Sequence, residues 1–290
     1  PAGLRAELRP YQAEGFAWLA FLWRHRLGGI LADDMGLGKT LQTLATVARA
    51  RELGEVGGDA GPVLVVAPTS VVGAWVDEAA RFTPDLRVVA VTQTHRKRRE
   101  PLEEVVAGAD VVVTSYAVLR LDDEQFHALP WRGLVLDEAQ AVKNHHSKTY
   151  QAVRQVRAPF RLAISGTPLE NSLMDLWSLL SITAPGLYPR PDDFTVSYRR
   201  PIESGRAPEL LDQLRRRIRP LMMRRTKAEV AADLPEKQVQ VTHVPLAPAH
   251  ARIYDQHLQR ERQPLERLVR MEQKKRQQLG RRERQEQKEP

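Results

Sequence analysis

The stretch Gly29-Ile30-Leu31-Ala32-Asp33-Asp34-Met35-Gly36-Leu37-Gly38-Lys39-Thr40 decides the fold. Its apolar opening, Gly29–Ala32, is too short for a helix and stops abruptly at two acids. A helix-length segment follows, in which Leu41, Leu44, Val47 and Ala48 fall on one face between Thr40 and Arg51. Between strand and helix, Gly36 and Gly38 allow backbone N–H groups to wrap a phosphate chain at a helix N-terminus. Lys39 supplies a cation for β- and γ-phosphates, and Thr40 a hydroxyl for Mg²⁺. The strict pattern has glycine at the first position, where this chain has Asp33. Asp34, Met35, Gly36, Leu37, Gly38, Lys39 and Thr40 are therefore the expected nucleotide-binding residues.

Outward from this loop the pattern repeats. Apolar runs at Val63–Ala67, Val111–Val113, Leu134–Leu136 and Leu162–Ile164 are rich in Val, Leu and Ile and end in polar or turn residues. Runs that are apolar on both faces suit parallel strands covered by helices. A helix is expected over Tyr11–Trp23, just after Pro10. The fold class that follows is α/β, a doubly wound and mainly parallel sheet.

In such a sheet ligands gather at the carboxyl ends of the strands. There, after Leu134-Val135-Leu136, stand Asp137-Glu138-Ala139-Gln140. A carboxylate at a strand end can hold Mg²⁺ through water, and its neighbour can orient and deprotonate an attacking water. Lys39, Asp137, Glu138 and Gln140 are the candidate catalytic set, with Thr40 and Asp137 on the metal. Three more strand ends, Ala67-Pro68-Thr69-Ser70, Thr114-Ser115-Tyr116 and Ser165-Gly166-Thr167, offer hydroxyls and amides of the kind that hold phosphate backbones. The Asn-Lys-x-Asp signature of guanine specificity is absent.

These motifs and their order resemble the Swi/Snf-type ATPases of helicase superfamily two. The resemblance is carried by Leu8-Arg9-Pro10-Tyr11-Gln12, Asp33–Thr40, Asp137–Gln140 with Lys143-Asn144, and Ser165-Gly166-Thr167-Pro168-Leu169-Glu170-Asn171. Leu221–Lys227 and Leu234-Pro235-Glu236-Lys237 resemble the stretch between that family's two lobes, so the likeness covers roughly residues 4–260. It implies a RecA-like lobe, ATP with Mg²⁺ as fuel and double-stranded DNA as track. By position, Gln12 would read adenine; Ser165, Gly166 and Thr167 would couple nucleotide to movement; Ser70, Thr114 and Ser115 would touch the DNA backbone. The family usually has Glu where this chain has Asp34. It also has a second RecA-like lobe carrying arginine fingers, which this sequence is expected to lack. A strand-separating helicase of the same superfamily and a non-catalytic nucleotide- or DNA-binding remnant are the rival readings.

Composition agrees with this outline. With no cysteine there is no disulfide framework and no thiolate metal site. The longest apolar run, Phe16–Trp23, falls short of the roughly 20 residues a membrane span needs. No secretory leader is visible, so a cytoplasmic or nuclear protein is expected rather than a secreted one. Of the net charge of +8, residues 251–290 contribute +5. Three regions are expected: a lobe over 1–190, a helical insertion and connector over 191–262, and a basic, low-complexity, partly disordered or helical tail over 263–290. Leu210–Arg219 reads as a basic helix and Val239/Val241 as a short strand. Trp75 is read as helix packing and His145-His146 as a solvated loop. Arg96–Arg99, Arg215–Arg217 and Arg224-Arg225 are candidates for phosphate contact or for a solvated face.

Overall fold

The computed structural model describes residues 1–166, 172–230, 247, 248, 250–260 and 262. Seven strands form one sheet: β1 Gly28–Leu31, β2 Val63–Ala67, β3 Val88–Val91, β4 Val111–Ser115, β5 Gly133–Leu136, β6 Phe160–Ile164 and β7 Met222–Met223. Their order is β3-β4-β2-β5-β6-β1-β7, and every neighbouring pair is parallel. The five expected runs are all strands. Two strands were not anticipated. β3 is an edge strand with only Val91 buried, and β7 is two residues added to β1 by the register Ile30↔Met222 and Leu31↔Met223.

Parallel strands need crossovers, and the helices that supply them cover both faces. On one face lie α1 Pro10–Arg24, α2 Lys39–Glu52 and α3 Val72–Phe82; on the other, α4 Tyr116–Leu121, α5 Lys148–Gln155 and α6 Leu173–Thr183. The period of two along each strand sorts the core into two layers. Ile30, Leu64, Val66, Leu134 and Leu136 point into the layer holding Trp177 and Tyr150; Leu31, Val63, Val65, Val135 and Leu162 point into the one holding Leu19, Leu44 and Trp75. This is the doubly wound α/β fold expected.

The first compact unit runs over Pro1–Asp233, past the expected boundary at residue 190. Residues 191–230 were set apart by their prolines, yet Phe194, Tyr198, Leu214 and Ile218 are buried in the same core layer as Trp177. α7, Glu209–Ile218, matches the expected basic helix and faces that core with Leu214 and Ile218. A second unit, Leu234–Pro290, includes a helix over residues 250–260 that leaves Ile253 and Tyr254 exposed. The Val239/Val241 strand and the 263–290 tail lie outside the described residues. No helix among the described residues is long and apolar enough to cross a membrane.

Candidate active site

The loop Asp33–Gly38 leaves the buried end of β1 and delivers the chain into α2. Gly36 and Gly38 both have positive φ, 83° and 73°, a conformation that costs glycine nothing and other residues roughly 1–2 kcal/mol. Gly38 caps α2 in this left-handed state, which aims the first amides of the helix into the loop. A Cβ on Gly38 would also strike the Gln12 amide nitrogen. Gln12 is buried, accepts from Arg9 N at 3.0 Å and donates to Leu37 O at 3.3 Å, so it pins the loop to the start of α1.

Lys39 Nζ donates to the backbone oxygens of Asp33 at 2.7 Å and Asp34 at 3.2 Å. Burial pushes its pKa down, opposed by the negative charges of Asp33, Glu138, Asp137 and Asp34. The charges of all four strand-end acids thus act on one half-buried ammonium. Met35 at the tip of the loop is 69% exposed. The cradle of amides, a lysine held only by carbonyls and a nearby hydroxyl fit a magnesium–nucleotide phosphate chain.

Asp137 follows β5 directly, its N–H donating to Val66 O at 2.8 Å. Its two carboxylate oxygens are both engaged: Oδ1 accepts from Glu138 N at 2.9 Å and Oδ2 from Trp75 Nε1 at 2.8 Å. Its own carbonyl accepts from Tyr116 Oη at 2.8 Å. Burial raises the Asp137 pKa, and the Trp75 hydrogen bond works against that rise. Glu138 sits at φ 47°, an uncommon conformation for a non-glycine residue and one often found at working sites. Gln140 Nε2 donates to Glu138 Oε2 at 2.8 Å and fixes that carboxylate. Among the described residues no cluster of three His, Cys, Asp or Glu could hold a metal by itself. A Mg²⁺ at Thr40 and Asp137 would take its remaining oxygens from phosphate and water.

Ser165 and Gly166 end β6 beside the loop. Ser165 is fully buried with its N–H on Leu31 O at 3.1 Å, and a Cβ on Gly166 would lie 3.3 Å from Met35 Cγ. Thr167 lies outside the described residues. Of the three residues expected to meet a DNA backbone, only Ser70 is exposed. The Thr114 hydroxyl is buried and donates to Val91 O at 2.7 Å, tying β4 to β3. Ser115 is buried too and caps α4 by accepting from Val118 N at 3.2 Å. Both hydroxyls are used by the backbone of the lobe itself.

Four further residues shape the site without having been singled out for it. Trp75 was read as packing; it is packed, and its indole N–H also holds Asp137. Tyr116 supports the backbone of the same acid. Glu78, one turn beyond Trp75, has a raised pKa, first from burial and then from the charge of Asp137. Arg225 grips Asp33 at the head of the loop. His145 packs edge-on against Trp177, with ring centroids 5.2 Å apart. Arg98 is taken up by Gln93 O, Glu100 O, Gln125 and Asp122, leaving Arg96, Lys97 and Arg99 as the exposed cations of that run.

Comparison with known proteins agrees with this architecture. The family model SNF2-related domain matches residues 11–289. The YwqA protein of Bacillus subtilis (strain 168) is 40% identical over 254 residues, covering 87% of this chain and 27% of that protein. The ISWI chromatin-remodeling complex ATPase CHR17 of Arabidopsis thaliana is 36% identical over 263 residues, covering 90% of this chain and 24% of that protein. The Sulfolobus solfataricus SWI2/SNF2 ATPase core, solved in complex with dsDNA, superposes with a TM-score of 0.71 at 35% identity, over 89% of this chain and 53% of that one. The chain therefore spans about half of that core and about a quarter of those two curated relatives. By this match it belongs to the SNF2-related domain family, and its sheet and flanking helices form a RecA-like lobe.

Proposed function

We propose that this chain is the ATP-binding lobe of an ATP-driven double-stranded DNA translocase. The observation that carries the reading is the convergence on one loop mouth of Lys39 with Asp137 and Glu138, roughly a hundred residues apart in sequence. Lys39 exchanges the carbonyls of Asp33 and Asp34 for β- and γ-phosphate oxygens. Thr40 and Asp137 would hold Mg²⁺, which when bound would supply charge neutralisation at the phosphoryl group. Glu138, steadied by Gln140, orients the attacking water and takes its proton. Gln12 is close enough to the loop to read adenine once a nucleotide enters. Ser165 and Gly166, touching both β1 and Met35, report the state of the loop to the rest of the molecule.

The duplex is the substrate this reading assigns, on the strength of the solved relative bound to dsDNA. Ser70, at the exposed end of β2, is the side chain left to meet its backbone. A second RecA-like lobe would supply the arginine that completes the site, as the span of the relatives suggests. Such a protein works wherever duplex DNA is held, in a bacterial cytoplasm or a nucleus.

Titration with a fluorescent ATP analogue and Mg²⁺ tests the nucleotide site. Lys39→Ala is expected to weaken binding by about 1.5–3 kcal/mol, the worth of a charged hydrogen bond. Unchanged affinity in that variant removes the assignment.

A further inference from the structure

Asp33 stands where a phosphate-binding loop ordinarily begins with glycine, and its side chain is fully buried. A lone carboxylate there would face the incoming phosphates with like charge and would compete for the Lys39 ammonium. Lys39 already donates to the backbone oxygen of the same residue, and Asp33 is the largest of the attractive charges it feels.

The carboxylate is not alone. Arg225, 192 residues further on, closes over it. Asp33 Oδ1 accepts from Arg225 N at 3.0 Å and from Nε at 3.1 Å, and Oδ2 accepts from Nη2. The same guanidinium donates to Gln42 Oε1 at 2.9 Å and to Tyr11 O, and lies 5.5 Å from the centre of the Tyr11 ring. The arginine is brought there by main chain. Ala32 N donates to Met223 O at 2.7 Å, Asp34 N to Arg225 O at 3.0 Å, and Lys227 N to Asp34 Oδ2 at 3.0 Å. Room for it is made by Gly15, where a Cβ would collide with Gln42 and lie 2.8 Å from Arg225 Nη2.

We propose that Arg225 is a positioning residue of the nucleotide site: it neutralises the buried Asp33 carboxylate, so that Lys39 stays available to phosphate and the loop can receive a polyanion. The proposal rests on the reading that this loop binds ATP. It differs from a merely structural role in one respect. If charge balance is the point, removing both charges restores the site, even though the contacts to Tyr11 and Gln42 stay lost.

The experiment is equilibrium titration of the 290-residue chain with a fluorescent ATP analogue and Mg²⁺, with thermal unfolding of each variant alongside. Wild-type chain that takes no MgATP overturns the proposed function itself, and this inference with it. Given wild-type binding, Arg225→Gln is expected to lose about tenfold or more in affinity. Arg225→Lys, which keeps the charge and loses the fork, is expected within about fivefold of wild type. The double variant Asp33→Asn/Arg225→Gln is also expected to recover to within about fivefold. Folded Arg225→Gln with wild-type affinity overturns the proposal, and so does a folded double variant as weak as Arg225→Gln. If Arg225→Gln does not fold, the other two variants decide. Either one folded but about tenfold or more weaker than wild type overturns the proposal.

Discussion

Replacing Trp75 by Phe separates packing from chemistry at the proposed Mg²⁺ site. The indole is 1% exposed in the layer between α3 and the sheet, and its Nε1 is 2.8 Å from Asp137 Oδ2. Phenylalanine keeps most of the apolar contact, so the stability cost should stay well below the ~3–5 kcal/mol of a large aromatic cut to alanine. What it removes is a donor to a carboxylate. Hydrogen bonds to charged groups are worth about 1.5–3 kcal/mol, so Mg²⁺-dependent nucleotide affinity should fall roughly 10- to 150-fold. The pH dependence follows with a definite sign. Burial already raises the Asp137 pKa, and the Trp75 bond is the largest influence holding it down. Without that bond the pKa rises further, so on acidification the loss of Mg²⁺ affinity sets in at higher pH than in wild type. For the same reason Asp137 differs from a salt-bridged acid in its effect on stability: its contribution is present below the unfolded pKa and is lost as pH rises through the raised folded value. The assay is titration of a fluorescent nucleotide with and without Mg²⁺ at several pH values. If Trp75→Phe weakens binding equally in both conditions, or leaves the pH profile where it was, the indole is only packing and the reasoning fails.

Other expectations are simpler to state. Glu138→Gln should abolish whatever duplex-stimulated ATP hydrolysis the chain supports while leaving MgATP binding within about threefold, because the role proposed for the residue is on water and not on phosphate; phosphate release and nucleotide titration read the two separately. Ser115→Ala should cost about 1 kcal/mol in urea unfolding through loss of the α4 cap and leave duplex binding unchanged; a selective loss of duplex affinity would return Ser115 to the DNA surface. Duplex binding by the chain should fall steeply and linearly on a log–log plot against salt, with no preference among sequences; a flat response would exclude contacts to phosphates. Leu64→Ala, at a fully buried position on the interior strand β2, should cost about 2–5 kcal/mol by denaturant titration, and a cost under 1 kcal/mol would mean that this core layer is not packed as described.

The strands and helices nearest the chemistry were legible because their signals are local. Val63–Ala67 is buried at every residue and reads as an unbroken apolar run; α2 repeats its apolar positions at helical spacing and starts from a glycine-rich loop. β3 was passed over because it is an edge strand with three of its four residues partly or fully open to solvent, so its composition carries no pattern that demands burial. β7 is two methionines in a place that only the neighbouring β1 makes into a strand. The boundary drawn at residue 190 followed prolines, and those prolines sit at the first turns of short helices as well as between them: Pro191 and Pro201 open helical segments that bury Phe194 and pack Ile202 onto the core.

The site divides the same way, by the range over which its parts communicate. Gly36, Gly38, Lys39 and Thr40 belong to one turn and one helix start, and a single line of sequence contains the whole device. Asp137 and Glu138 were found because a strand end focuses attention on the residues after it. Their supports were not, since an indole 62 residues upstream and a tyrosine 21 residues upstream become neighbours only when β2, β4 and β5 are laid side by side. Thr114 and Ser115 are the complementary case: a hydroxyl in a strand-end motif looks available until the adjacent strand and the next helix are seen to use it. Asp33 shows the limit most plainly. Read along the chain it is a flaw in the loop consensus, an acid where glycine belongs. In the folded lobe it is one half of a buried pair whose other half, Arg225, arrives two residues past β7, the strand that the sequence did not disclose. A buried carboxylate is tolerable only with such a partner, so the departure from consensus and the unexpected strand are one fact seen from its two ends.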